Sequence, residues 1–140
     1  MLKLSEKIGR RMRRQNAWGN VIHYFHSDNR YSGFSKQHKV NELINEGKDI
    51  YQAAFGIFKS RWPLQFSIKI MGVSVSGLKF DFKAEPLFEE YKKPGWLVQA
   101  MDKINDKYGE FTITRGRMLG IDEEWAKDTV GFGRMKGFNI

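Results

Sequence analysis

From Gln65 to Leu78 the chain alternates apolar and polar residues for long enough to form a strand, but the alternation changes parity part-way. Phe66, Ile68 and Ile70 share one parity, and Met71, Val73 and Val75 share the other. Side chains of a strand point alternately to opposite faces, so one buried face collects both sets only if an extra residue intervenes. The pattern predicts a β-bulge near Met71-Gly72, in a sheet with one covered face and one free face. Beyond the bulge Ser74 and Ser76 point away from the core, and Lys69 leaves the opposite face of its own part of the strand.

A sheet of this kind needs helices to cover it, and two are legible from their 3.6-residue period. Residues 2 to about 16 carry Leu4, Ile8 and Met12 in one row and Lys3, Lys7, Arg10 and Arg14 in another. Asn16, Gly19 and Asn20 break the pattern. Residues from about Lys48 to Trp62 carry Ile50, Ala53, Ala54, Ile57 and Phe58 on one face, and Pro63 stops the helix. Between the helices, residues 20–26 are β-branched and aromatic, residues 27–33 are turn formers, and Phe34 to Val40 alternate. Together they predict a hairpin. The expected fold is α+β: a small, mostly antiparallel sheet backed by two helices over residues 1–78. A linker at 79–93 leads to an extension at 94–140. There Pro94 opens a third helix with Leu97, Met101, Ile104 and Tyr108 as its apolar face, and Gly109 caps it. Phe111 to Thr114 reads as a short strand, and a helical turn is expected over Asp122 to Lys127.

Charge divides at the same place. Residues 1–80 hold 14 Lys or Arg against 5 Asp or Glu, whereas residues 81–140 hold 10 against 11, so the net charge of +8 lies in the front part. A basic segment of this kind attracts phosphate by counterion release. The absence of cysteine excludes disulfides and thiolate metal sites. No apolar run reaches the length of a membrane span, and no signal-peptide core follows the basic start, so no membrane partner is expected and the expected location is cytoplasmic.

Catalytic chemistry finds no residue set. Two-metal phosphoryl transfer needs carboxylates converging from strands, and the strands of residues 1–78 carry none. Asp122, Glu123 and Glu124 are consecutive, so they point in different directions from a helical turn. His23 and His26 are three apart, which puts them on opposite faces of a strand. Gly131 to Gly137 is not a nucleotide-binding glycine pattern. No catalytic residue, metal site or cofactor is expected. What the strands do carry is Ser35, Lys36, Gln37 and Lys39, with Lys69, Ser74 and Ser76: short donors and ammonium groups on extended backbone, suited to tracking phosphates. The basic row of the first helix serves equally well as a phosphate grip or as a solvated face. RNA binding is disfavoured because no exposed aromatic pair is evident on the strands.

The order of these parts resembles the C-terminal "little finger" domain of Y-family (translesion, UmuC/DinB-like) DNA polymerases. The resemblance covers about residues 1–78. It rests on Ile8-Gly-Arg-Arg-Met-Arg-Arg-Gln15, Gly33-Phe-Ser-Lys-Gln37, Ile50 with Ala53-Ala54, and above all Met71-Gly-Val-Ser-Val-Ser-Gly-Leu78. It implies a sheet whose open face lies against the major groove of primer–template DNA, with Arg30 of the hairpin loop joining the strand residues as a DNA contact. Here Ile70 and Ser74 flank Met71-Gly-Val73, where some family members carry Arg. Residues 79–140 resemble the extension of Gram-positive UmuC-like proteins, through Asp106-Lys-Tyr-Gly109 and Val130-Gly-Phe-Gly-Arg-Met-Lys136. Many relatives carry a sliding-clamp peptide, Gln-x-x-Leu-Phe, at this junction. Ala84-Glu-Pro-Leu87-Phe88 keeps Leu87 and Phe88 and lacks the Gln.

The family's first strand and its palm, fingers and thumb are not in this sequence, which reads as a C-terminal piece or a truncated frame. The expected function is therefore noncatalytic DNA holding within a polymerase, with a protein-interaction module engaging the clamp as the competing reading. The missing strand leaves a sheet edge to be completed, by residues 111–114 or by a second copy of the chain.

Overall fold

Helix α1 (Leu2–Arg14) forms as the period requires, with Met12 buried and Ile8 packed against the core. Arg11, Arg13 and Arg14 occupy its last turn, where positive charge suits the negative end of the helix dipole. The chain leaves the helix through Gln15 and Asn16, and the φ of 48° at Asn16 lies in the left-handed region that asparagine tolerates. The computed structural model of the protein describes residues 1–28, 33–61, 67–81 and 92–120.

Strand β1 (Ala17–Asp28) is longer than its β-branched centre suggests. Gly19 and Asn20 do not end it, because a register shift between Gly19 and Val21 absorbs them. Strand β2 (Gly33–Ile44) returns antiparallel, helix α2 (Gly47–Lys59) follows, and β3 (Ile68–Ser76) pairs antiparallel with the other side of β1. A two-residue strand β4 (Lys79–Phe80) pairs with Ala17 and Trp18, so the sheet continues past Leu78. Helix α3 spans Lys92–Tyr108. The path of the sheet is β2-β1-β3, with β4 off it against the start of β1. The architecture is α+β and mostly antiparallel, as expected.

The two helices lie on one face of this sheet. Met12, Ala17, Ile22, Ile50 and Ala54 form the buried core, with Ile44, Val73 and Val75 packed around it. The side of α2 that meets it carries Ile50, Ala54 and Ile57, the predicted stripe. This helix stops at Lys59, earlier than expected, where the Ser60 hydroxyl donates to the Ile57 carbonyl at 2.6 Å. Tyr24 and His26 are also sealed under the helices, and the Tyr24 hydroxyl meets His26 Nδ1 at 3.1 Å. Burial, helped by the nearby Arg61 charge, pushes the His26 imidazole below the usual histidine range.

The parity change does produce a bulge, but displaced from the expected position. Ser27 pairs with Ile70 and Asp28 with Ile68, so Lys69 is the extra residue and Met71-Gly72 stays in the regular ladder. The displacement puts Ile70 on the free face, 53% exposed, and Ile68 on the helix side. A second expectation fails outright: residues 111–114 form no strand. Phe111 has φ +62°, which an extended strand does not admit. The Asn105 side chain clamps the next turn instead, donating to the Ile113 carbonyl at 3.1 Å and accepting from the Ile113 amide at 3.0 Å.

Two glycines let α1 approach the start of α2. A Cβ on Gly9 would sit 2.7 Å from the Gly47 nitrogen and 2.8 Å from the Asn45 carbonyl, and one on Gly47 would sit 2.6 Å from the Glu6 Cα. Backbone cannot yield as a side chain can. Gly9→Ala should therefore destabilise the domain by about 1–3 kcal/mol despite alanine's better helix propensity. Chemical denaturation checks this; an unchanged or raised midpoint would contradict the close packing.

Candidate nucleic-acid interface

Because Ile22, Tyr24 and His26 of β1 are committed to the helices, Val21, His23, Phe25 and Ser27 face the other way. Register then fixes their neighbours. On β2, Lys39 pairs with Val21, Gln37 with His23 and Ser35 with Phe25. On β3, Ser76, Ser74 and Gly72 take the same three places. The result is a face whose edges carry hydroxyls, an amide and an ammonium group. None of its residues in register is acidic. Among these residues His23 Nε2 lies 2.7 Å from the Ser35 hydroxyl.

Of the residues singled out from sequence, Ser35, Gln37, Lys39, Ser74 and Ser76 converge on this face. Lys36 does not. It is in register with the buried Tyr24, so it belongs to the helix side of β2, at its exposed edge. Lys69 stands at the bulge. Arg30, Leu87 and Phe88 lie outside the described residues. His23 and His26 fall on opposite faces, and among the described residues no group of three or more His, Asp or Glu gathers as a metal site. No helix among them is long and apolar enough to cross a membrane.

The conspicuous basic row of α1 meets a different fate. Helix α3 lies alongside it and presents Asp102 and Asp106, with Glu110 just beyond its end. Arg13 donates to both oxygens of Asp102, at 2.6 and 2.8 Å, and through Nη1 to the Asn45 carbonyl at 2.8 Å. Arg10 reaches Asp106 at 2.5 Å, Arg14 bonds the same carboxylate, and Lys7 pairs with Glu110 at 3.5 Å. Lys3 and Lys7 also stand 5.3 and 5.6 Å from the centre of the Phe111 ring. Beyond α3, Arg115 donates to Glu6 at 2.8 Å. Hydrogen bonds from Arg14 and Arg10 hold the Asp106 carboxyl below the usual carboxylate range. Lys7, Arg10, Arg13 and Arg14 of this helix thus pair with the carboxylates of α3 and of the turn beyond it.

That docking turns α3 away from its expected orientation. Val98 and Asn105 are buried and Met101 is half-buried, but Leu97, Ile104 and Tyr108 are exposed. The matched rows Lys7, Arg10 and Arg14 on one element and Asp102, Asp106 and Glu110 on the other carried the signal. Each repeats at helical spacing with opposite sign.

Residues 1–86 match the impB/mucB/samB family C-terminal domain. The chain belongs to this family. Among curated relatives, the domain is 27% identical over 120 residues to a DNA polymerase IV of Moorella thermoacetica, covering 85% of this chain and 30% of that protein. It is 29% identical over 123 residues to a DNA polymerase IV 2 of Bacillus subtilis, with the same two shares. It is 31% identical over 126 residues to a DNA polymerase IV of Bacillus anthracis, covering 84% of this chain and 29% of that protein. The chain thus spans about 30% of the length of the curated relatives it matches. The Y-family resemblance drawn over about residues 1–78 is thereby established, and with it the domain's place among C-terminal domains of these polymerases.

The ion pairs differ in depth, and their energies should follow. Arg13 and Asp102 side chains are 15% and 19% exposed, against 52% and 45% for Arg14 and Asp106. Removing one partner of the deeper pair strands a charge with little water. Asp102→Ala should cost about 2 kcal/mol or more by thermal unfolding. Asp106→Ala should cost a small part of that, because solvent screens the exposed pair. Equal losses would contradict the depth assignment.

Proposed function

We propose that the chain is the noncatalytic DNA-holding domain of an error-prone Y-family repair polymerase, acting in the cytoplasm during translesion synthesis. The open face of the sheet grips primer–template duplex through its phosphates. The observation that carries this reading is the contrast between two surfaces. The α1 row is neutralised internally by α3, whereas the free face offers Lys39, Gln37, Ser35, Ser74 and Ser76 with no carboxylate in register. Lys69 at the bulge extends the same contact, and Arg30 is proposed on sequence grounds alone to join it; Lys36, on the helix side, reaches a phosphate only around the edge of β2. The family membership supports DNA as the ligand, and the polymerase reaction is assigned to parts of the relatives that this chain does not match.

Backbone contacts position a protein without reading sequence. Binding should therefore be sequence-independent, with log affinity falling linearly as log salt rises, by about 0.9 for each phosphate neutralised. Lys39→Ala should weaken binding equally on unrelated duplexes and flatten the salt slope by about one. Arg14→Ala should leave both unchanged. Anisotropy titrations over a salt series measure this, and a slope altered by Arg14→Ala but not by Lys39→Ala would reverse the assignment. Leu87 and Phe88 are proposed, on sequence grounds, to plug an apolar pocket of the sliding clamp. Self-association through the outer edges of β2 or β3 is proposed as the alternative to completion by residues 111–114, which the turn at Phe111 rules out.

A further inference from the structure

Phe25 lies across the free face of the sheet in an unusual way. Opposite it in β3 stands Gly72, where a Cβ would come within 2.1 Å of Phe25 Cε1 and 2.5 Å of Cζ. The ring thus occupies the space a side chain at that position would need, with backbone beneath it. Yet Phe25 remains 40% exposed. The ring is only partly covered on this face.

The His23 ring follows on the same face, 6.1 Å away by centroid and inclined by 29° to Phe25. The two rings thus form a stacked pair on the free face of the sheet. The contact between His23 Nε2 and the Ser35 hydroxyl holds the imidazole in place. Alternation alone does not reveal the pair, because the face that His23 and Phe25 share is fixed only by the register of β1. Around these rings the face is cationic and polar, with Lys39 in register beside His23's neighbour Val21.

A partly exposed aromatic pair in a basic, polar setting matches an unpaired nucleobase. Bases of a duplex have both π-faces closed by their neighbours, and only unpaired bases offer one to a side chain. We propose that Phe25 and His23 form a stacking platform for unpaired bases of single-stranded DNA adjoining the duplex. The inference rests on the reading of this face as DNA-binding.

The test compares three probes of one duplex: blunt, with a single-stranded dT overhang, and with an overhang of equal length made of abasic residues. The two overhangs carry the same phosphate charge and differ only in bases. The dT overhang should bind about fivefold or more tighter than the abasic one, the usual effect of stacking one base. Phe25→Leu keeps an apolar group over Gly72 but removes the aromatic ring; it should abolish the difference between the two overhangs. Equal affinity of the wild-type domain for both overhangs would overturn the platform, as would a preference that survives Phe25→Leu. Should that variant fail to fold by thermal melting, the wild-type comparison decides alone. Blunt-duplex binding without overhang preference sinks the platform only, whereas no binding of any probe sinks the DNA-binding reading as well.

Discussion

Strand β1 is the constraint on which the rest of the structure depends. It has a neighbour on each side, and its even-numbered side chains from Ile22 to His26 are sealed beneath α1 and α2. Burying those residues commits the odd-numbered ones to the other face, and register then dictates what stands beside them. The positions of Ser35, Gln37, Lys39, Ser74 and Ser76 are consequences of Ile22 and Tyr24 being inside. A one-residue slip of either neighbour would exchange these for Phe34 and Lys36, or for Val73 and Val75.

Charge matching between α1 and α3 makes the second decision. A helix this basic invites the inference that it touches DNA. Four of its cations are occupied by Asp102, Asp106 and Glu110, and Arg13 also secures the Asn45 carbonyl after β2. The net positive charge of the front part is therefore partly spent within the molecule. What faces outward on the sheet is sparse but uncontested by carboxylates, and a phosphate needs only that.

Much of this was legible in the chain, and the failures have physical causes. The helix stripes at Ile8/Met12 and Ile50/Ala54/Ile57, the hairpin and the inward side of Val73 and Val75 follow from period alone. The bulge was implied by parity, but parity cannot choose between Lys69 and Met71-Gly72; the choice depends on an isoleucine, Ile70, being left in solvent. Lys36 was grouped with its neighbours because adjacent polar residues look alike until a partner strand gives them a face. The rotation of α3 was missed because apolar spacing was read and charge spacing was not. For the candidate interface, five of the sheet residues were recoverable from alternation, while the Phe25 ring over Gly72 needed the cross-strand register to be seen.

The central claim is that DNA meets the open sheet and not the basic helix. Backbone amide shifts recorded by NMR while a short duplex is titrated into the domain test it most directly. Perturbations should cluster at Ser35, Gln37, Lys39, Ser74 and Ser76, with Lys3, Lys7, Arg10 and Arg14 of α1 unmoved. Perturbations confined to α1, with the sheet silent, would contradict the account.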